Sequence, residues 1–115
     1  MRNSLNIAKR IAEIASSKKA SDIVILDIRK VSSICDYFVI FTGETGRQIE
    51  AIRDEVEREL LNEGIKAVRI EGDSFSGWIL MDFEDVMVHI FTPEERKYYD
   101  LENLWSKAEP VLRIL

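Results

Sequence analysis

The stretch Gly77–Phe91, GWILMDFEDVMVHIF, restricts the possible folds more than any other part of the chain. It reads as two strands around a turn, each apolar on both sides, so both faces of their sheet need a cover. With Glu84-Asp85 as a two-residue turn, Phe83 pairs with Val86, Asp82 with Met87, Met81 with Val88, Leu80 with His89, Ile79 with Ile90 and Trp78 with Phe91. Strand residues alternate between faces. One face therefore carries Ile79, Met81, Phe83, Val86, Val88 and Ile90, is purely apolar, and is expected to lie against helices. The other carries Trp78, Leu80, Asp82, Met87, His89 and Phe91, aromatic at one end and acidic at the other.

The rest of the chain offers few elements to cover two faces. Ile7, Ala8, Ile11, Ala12, Ile14 and Ala15 recur at helical spacing and predict a helix from Asn3, its cap, to Ser17. Ser21–Arg29 and Asp36–Gly43 predict strands, the second apolar almost throughout and hence central. Thr45-Gly46-Arg47-Gln48 forms a capping box opening a helix with Ile49, Ile52, Val56 and Leu60 on one side and Gly64 at its end. Ile65–Gly72 predicts a third strand, followed by the loop DSFSG. Thr92-Pro93-Glu94-Glu95 predicts a hydroxyl-capped helix start with proline at its first position. Asp100 is expected to cap a last helix holding Leu101, Leu104, Trp105 and Ala108 and ending near Pro110. The order α-β-β-α-β-β-β-α-α makes one α+β domain over residues 1–115, with five strands.

The two longer helices belong on the apolar face. The second face is then exposed unless Tyr98, Tyr99, Leu101 and Trp105 fold back over it, and partial cover still leaves a groove. Its residue types are those enriched at the centres of protein interfaces. The expected partner-binding residues are Trp78, Leu80, Asp82, Met87, His89 and Phe91, with Asp85 at the turn and Tyr98 and Tyr99 at the rim. Such a face can also pair two copies of the chain, so a homodimer is expected to compete with the partner.

Composition narrows what that partner is. The formal charge of −5 repels a phosphate backbone, so little direct nucleic-acid binding is expected, whereas a basic protein suits the acids at the turn. No segment reaches the roughly 18 apolar residues of a membrane span, and the N-terminal residues do not resemble a signal peptide. Together with the lone Cys35, these features predict a cytoplasmic protein with no membrane association.

The chemistry-bearing residues are sparse. His89, the only histidine, and Cys35 do not make a metal set, and no metal or cofactor is expected. Thr42–Gln48 places two glycines at a helix start, but Glu44 and the lack of a G-x-x-x-x-G-K-[ST] run favour a plain turn over an anion cradle. Asp82, Glu84 and Asp85 could hold Mg²⁺, but read better as solvated turn acids.

Three stretches, DYFVIFTGETGRQIEAI, VRIEG and GWILMDFEDVMVHIFTPEERKYYDLENLW, resemble the Iojap family of ribosomal silencing factors over about Ile7–Trp105. The matching positions include Asp36-Tyr37-Phe38, Thr42-Gly43, Arg47-Gln48, Trp78, Asp82, Asp85-Val86, Val88-His89, Phe91, Pro93-Glu94, Arg96, Tyr98-Tyr99, Leu101-Glu102 and Leu104-Trp105. Met81 and Phe83 depart from the leucine and tyrosine of the family pattern, and Met87 from its β-branched residue. The resemblance implies a mixed five-stranded sheet of nucleotidyltransferase-like topology without transferase activity. That activity needs a Gly-Ser turn and a D-x-D metal pair, whereas Gly43 precedes Glu44 and no D-x-D occurs. It also implies a partner, the fourteenth protein of the large ribosomal subunit, and repression of translation by blocking subunit joining. The alternatives are a large-subunit biogenesis factor and a divergent nucleotidyltransferase-type enzyme.

Overall fold

The computed structural model describes residues 3–104 and 106–115, and for Leu104 the backbone only. Trp105, expected in the last helix and over the second face, lies outside the described residues, as does the Leu104 side chain.

The elements are α1 (Ser4–Ser17), β1 (Ser21–Asp27), β2 (Tyr37–Thr42), α2 (Gly46–Asn62), β3 (Arg69–Asp73), β4 (Trp78–Asp82), β5 (Val86–Phe91), α3 (Pro93–Tyr99), α4 (Leu101–Leu104) and β6 (Glu109–Ile114). The strands form one sheet in the order β3-β4-β5-β2-β1-β6. β2 and β5 pair in parallel at its centre, and the other neighbours are antiparallel. Every residue of β2 and β5 is buried, as their continuous apolar sequence requires.

The helices start where side-chain oxygens can take orphaned backbone amides. The Asn6 N–H donates to Asn3 Oδ1 at 2.8 Å, and the Gln48 N–H to Thr45 Oγ1 at 3.1 Å. The Gln48 side chain closes the box one residue early, accepting from the Glu44 N–H at 2.7 Å. At the far end of α2, Ile65 N–H bonds the Leu60 carbonyl and Gly64 N–H the Leu61 carbonyl, with Gly64 left-handed at φ 83°. Thr92 makes no side-chain cap bond, so proline geometry and Glu94 and Glu95 carry that helix start. α1 and α2 pack on one face of the sheet, burying Ile11, Ile14, Ile49, Ile52, Val56 and Leu60 against Ile79, Met81, Val86, Val88 and Ile90. Arg10 links the two helices through Glu59 at 3.0 Å and Glu63 at 2.8 Å.

Three further expectations are corrected. The sheet has six strands, because Glu109–Ile114 pairs with β1 as an edge strand. Pro110, read as a helix stop, is tolerated there because an edge strand need not donate every backbone amide. The last helix accordingly ends at Leu104 instead of running to Ala108. The third strand begins at Arg69, four residues later than expected, because the chain from Ile65 is still closing α2.

Candidate functional site

The β4–β5 hairpin has the register its alternation implies. Trp78 faces Phe91, Ile79 faces Ile90, Leu80 faces His89, Met81 faces Val88 and Asp82 faces Met87. The Phe83 N–H donates to the Val86 carbonyl at 2.9 Å and the Asp85 N–H to the Phe83 carbonyl at 3.0 Å. Glu84 between them is left-handed at φ 72°, a conformation costing about 1–2 kcal/mol for a residue with a Cβ. The Asp85 carbonyl then accepts from the Asp36 and Tyr37 amides, fastening the turn to the start of β2.

The second face is covered in part. Val24, Leu26, Ile28, Cys35, Phe38, Ile40, Met87, Phe91 and Leu101 form a second buried cluster, with Trp78, Leu80 and Ala108 half-buried against it. The β1–β2 connection supplies Ile28 and Cys35, and α4 supplies Leu101. Burial pushes the Cys35 thiol up to about 12, which makes it a small apolar residue.

This cover changes the role of three expected contact residues. Met87 is 8% exposed, His89 6% and Phe91 1%, so they lie beneath the surface rather than on it. What reaches solvent is Trp78 and Leu80 in part, with Tyr99 and Tyr98 beside them. The aromatic rings form a stack: Tyr99 lies 4.3 Å from Trp78, Trp78 lies 5.3 Å from Phe91, and Tyr98 meets Tyr99 edge-on at 5.1 Å. Burial of Met87 and Phe91 also removes much of the exposed area that would drive a homodimer through this face.

The acids divide similarly. Asp82 is held internally, accepting from the Glu84 N–H at 2.8 Å and standing 3.3 Å from Arg69. Asp85 is exposed at the hairpin tip. Among the described residues no group of three or more His, Cys, Asp and Glu is placed to hold a metal ion.

His89 explains how Trp78 is set. The Trp78 Nε1–H donates to His89 Nδ1 at 3.2 Å, so the imidazole proton sits on Nε2. Nε2 is buried without a hydrogen-bond partner among the described residues. Burial pushes the imidazolium pKa down to about 4. The folded state therefore binds this proton less readily than the unfolded chain, whose histidine titrates near 6.5. The stability tied to neutral His89 is fully present above about pH 6.5 and drains away as pH falls towards about 4, by roughly 3 kcal/mol in all. Urea midpoints measured from pH 7 to pH 4 should fall more steeply for the wild type than for His89→Gln. Parallel curves would show that His89 is not buried neutral.

A charged cluster clamps the cover in place. Buried Arg96 of α3 donates through Nη1 to the Asp22 carbonyl at 2.6 Å and to Thr42 Oγ1 at 3.0 Å. Its Nε and Nη2 bond the Glu102 carboxylate at 3.3 and 3.1 Å. Arg113 of β6 lies 2.8 Å from Asp22 Oδ1, an ion pair whose angle makes no hydrogen bond. One guanidinium thus ties α3 and α4 to β1 and β2, and holds Tyr99 and Leu101 over the second face.

Beside Trp78 runs a groove of 340 Å³ lined by Glu71, Gly72, Ser76, Trp78, Leu80 and Tyr99. Sequence reasoning missed Glu71, Gly72 and Ser76 as lining residues; the one available signal was the glycine ending the third strand. Gly72 has φ 90°, and a Cβ there would lie 2.0 Å from the Trp78 carbonyl oxygen. Gly72→Ala is expected to cost about 1–3 kcal/mol and to shift Trp78. Thermal melts and tryptophan fluorescence would check both effects, and an unchanged spectrum would contradict the close approach.

Comparison with known proteins places this geometry. The family model described as ribosomal silencing factor during starvation, RsfS, matches residues 1–114. The chain is 39% identical over 106 residues to the protein of Bacillus subtilis (strain 168) named ribosomal silencing factor RsfS, covering 92% of this chain and 90% of that protein. It is 35% identical over 107 residues to the chloroplastic protein Iojap of Zea mays, covering 93% of this chain and 46% of that protein. A crystal structure of a Chromobacterium violaceum protein superposes with a TM-score of 0.87 at 34% identity, covering 91% of this chain and 88% of that one. Neither the two-faced hairpin nor its aromatic stack is specific alone, but with the match along nearly the whole chain they lead to one assignment: this chain belongs to the RsfS family of ribosomal silencing factors.

Proposed function

We propose that this protein binds the large ribosomal subunit and represses translation by occupying the surface on which the small subunit docks. The family membership supports the ribosomal role, because relatives across nearly its whole length carry the name ribosomal silencing factor. The observation that carries the docking part is the partly uncovered Trp78–Leu80–Tyr99 face beside its groove. The proposed partner is a basic protein, the fourteenth of the large subunit, which the net charge of −5 and exposed Asp85 complement. Repression then needs no catalysis and no cofactor, since a bound domain excludes the small subunit by volume. The site of action is the cytoplasm, where the subunits join.

The test is sedimentation. Added to a lysate, the protein should migrate on sucrose gradients with free large subunits and be absent from assembled ribosomes. Adding it to purified subunits should lower the yield of joined ribosomes. Co-migration with whole ribosomes alone would refute the reading.

A second reading has one observation in its favour. A mouse protein 28% identical over 99 residues is named mitochondrial assembly of ribosomal large subunit protein 1. Assembly would use the same face at an earlier time, and depletion would then accumulate incomplete large subunits rather than accelerate translation.

A further inference from the structure

The loop between β3 and β4, Ser74–Gly77, holds an aromatic side chain that the site above leaves unused. Phe75 is 98% exposed, the most exposed of the large apolar residues among those described. Single exposed apolar residues are common and by themselves mean little. The difference here is that the loop is ordered around it. The Ser76 N–H donates to Asp73 Oδ1 at 2.9 Å, and the Ser76 hydroxyl to the Asp73 carbonyl at 3.0 Å. The Ser74 N–H reaches across to Glu50 Oε2 of α2 at 2.8 Å, and the Gly77 N–H returns to the Asp73 carbonyl at 3.2 Å. A ring presented on a turn already fixed by four hydrogen bonds loses little further backbone freedom on binding.

The loop also adjoins the docking face. Ser76 lines the groove beside Trp78, and its hydroxyl lies 3.1 Å from the Trp78 carbonyl oxygen. Acids outnumber bases around the loop: Glu71 and Asp73 are exposed on β3 and Glu50 lies against Ser74, while Arg69 pairs with Glu71 at 3.2 Å and Arg53 lies near Glu50. This field opposes an anionic lipid surface or a nucleic-acid backbone and favours a basic protein.

We propose that Phe75 is a second aromatic anchor of the docking face, entering an apolar pocket on the same basic ribosomal protein that covers Trp78. The inference rests on the function proposed above and adds a specific contact to it. Phe75 touches little in the free protein, so its loss should leave thermal stability unchanged while binding falls.

The experiment compares Phe75→Ala, Phe75→Leu and Trp78→Ala in the full chain, with purified large subunits as the probe and melts as the control for folding. Phe75→Ala should weaken binding about tenfold, and Phe75→Leu should retain most of the affinity. A photo-crosslinking residue at position 75, Phe75→p-benzoylphenylalanine, should capture a basic ribosomal protein. Binding by Phe75→Ala within twofold of wild type, alongside a loss for Trp78→Ala, overturns the anchor and leaves the function standing. A crosslink to ribosomal RNA alone overturns the protein partner for this residue. Failure of the wild-type chain to bind large subunits overturns the function and the anchor together.

Discussion

Trp78→Ala is expected to weaken binding to the large subunit by about 2–4 kcal/mol, or roughly thirty- to several-hundred-fold, while the domain stays folded. Trp78 joins the buried part of the stack, against Phe91, to the wall of the groove. Truncation at such a position removes apolar contact area at the centre of the face and admits water. It also removes the indole N–H that His89 Nδ1 accepts at 3.2 Å. The structural cost should stay near 1–2 kcal/mol, because the ring is only half-buried and the hairpin ladder does not depend on it. That loss lies well within the 5–15 kcal/mol stability of an ordinary domain. Titration of large subunits with wild type and variant, each checked by circular dichroism, measures the two effects separately. A folded variant with wild-type affinity would place the docking surface elsewhere on the molecule.

Met81→Ala is expected to do the reverse, costing about 2–5 kcal/mol of stability. Met81 is three residues further along the same strand, on the opposite face, and wholly buried among α1, α2 and the sheet. Alanine leaves a cavity that packed neighbours fill only in part. The folded fraction of the variant should bind large subunits normally. Urea denaturation read beside the binding assay therefore distinguishes the faces, and unfolding by Trp78→Ala with tolerance of Met81→Ala would mean the faces are inverted.

Much of this was legible in the residues because the relevant rules are local. Alternation alone placed Ile79, Met81, Phe83, Val86, Val88 and Ile90 together, and all six lie in the helix-side core. Helical spacing did the same for Ile49, Ile52, Val56 and Leu60. The candidate site was legible only as a face. Which of its residues reach solvent depends on where Tyr99, Leu101, Ile28 and Cys35 settle, and these come from other segments. Met87, His89 and Phe91 carry the same alternation signal as Trp78 and Leu80, yet a neighbouring strand and α4 bury them. β6 escaped notice for a related reason. Its partner β1 lies some 85 residues earlier in the chain, and Pro110 mimics a helix stop. Phe75 stood in plain view within DSFSG, but only the hydrogen-bonded loop distinguishes it from an incidental exposed residue.

The pairing of β6 with β1 has a consequence for the newly made chain. β1 is synthesised early, and Ile23, Val24, Ile25 and Leu26 are all buried in the finished protein. One of its edges is taken by β2 soon after, but the other stays open until Glu109–Ile114 has been made, after every other strand of the sheet. Throughout that interval the nascent domain presents a row of unsatisfied amides and carbonyls beside apolar side chains, the kind of template on which strands of other molecules add. The final strand thus acts as a seal on an aggregation-prone margin, and chains truncated before Glu109 should be found in the insoluble fraction and with chaperones more often than complete ones.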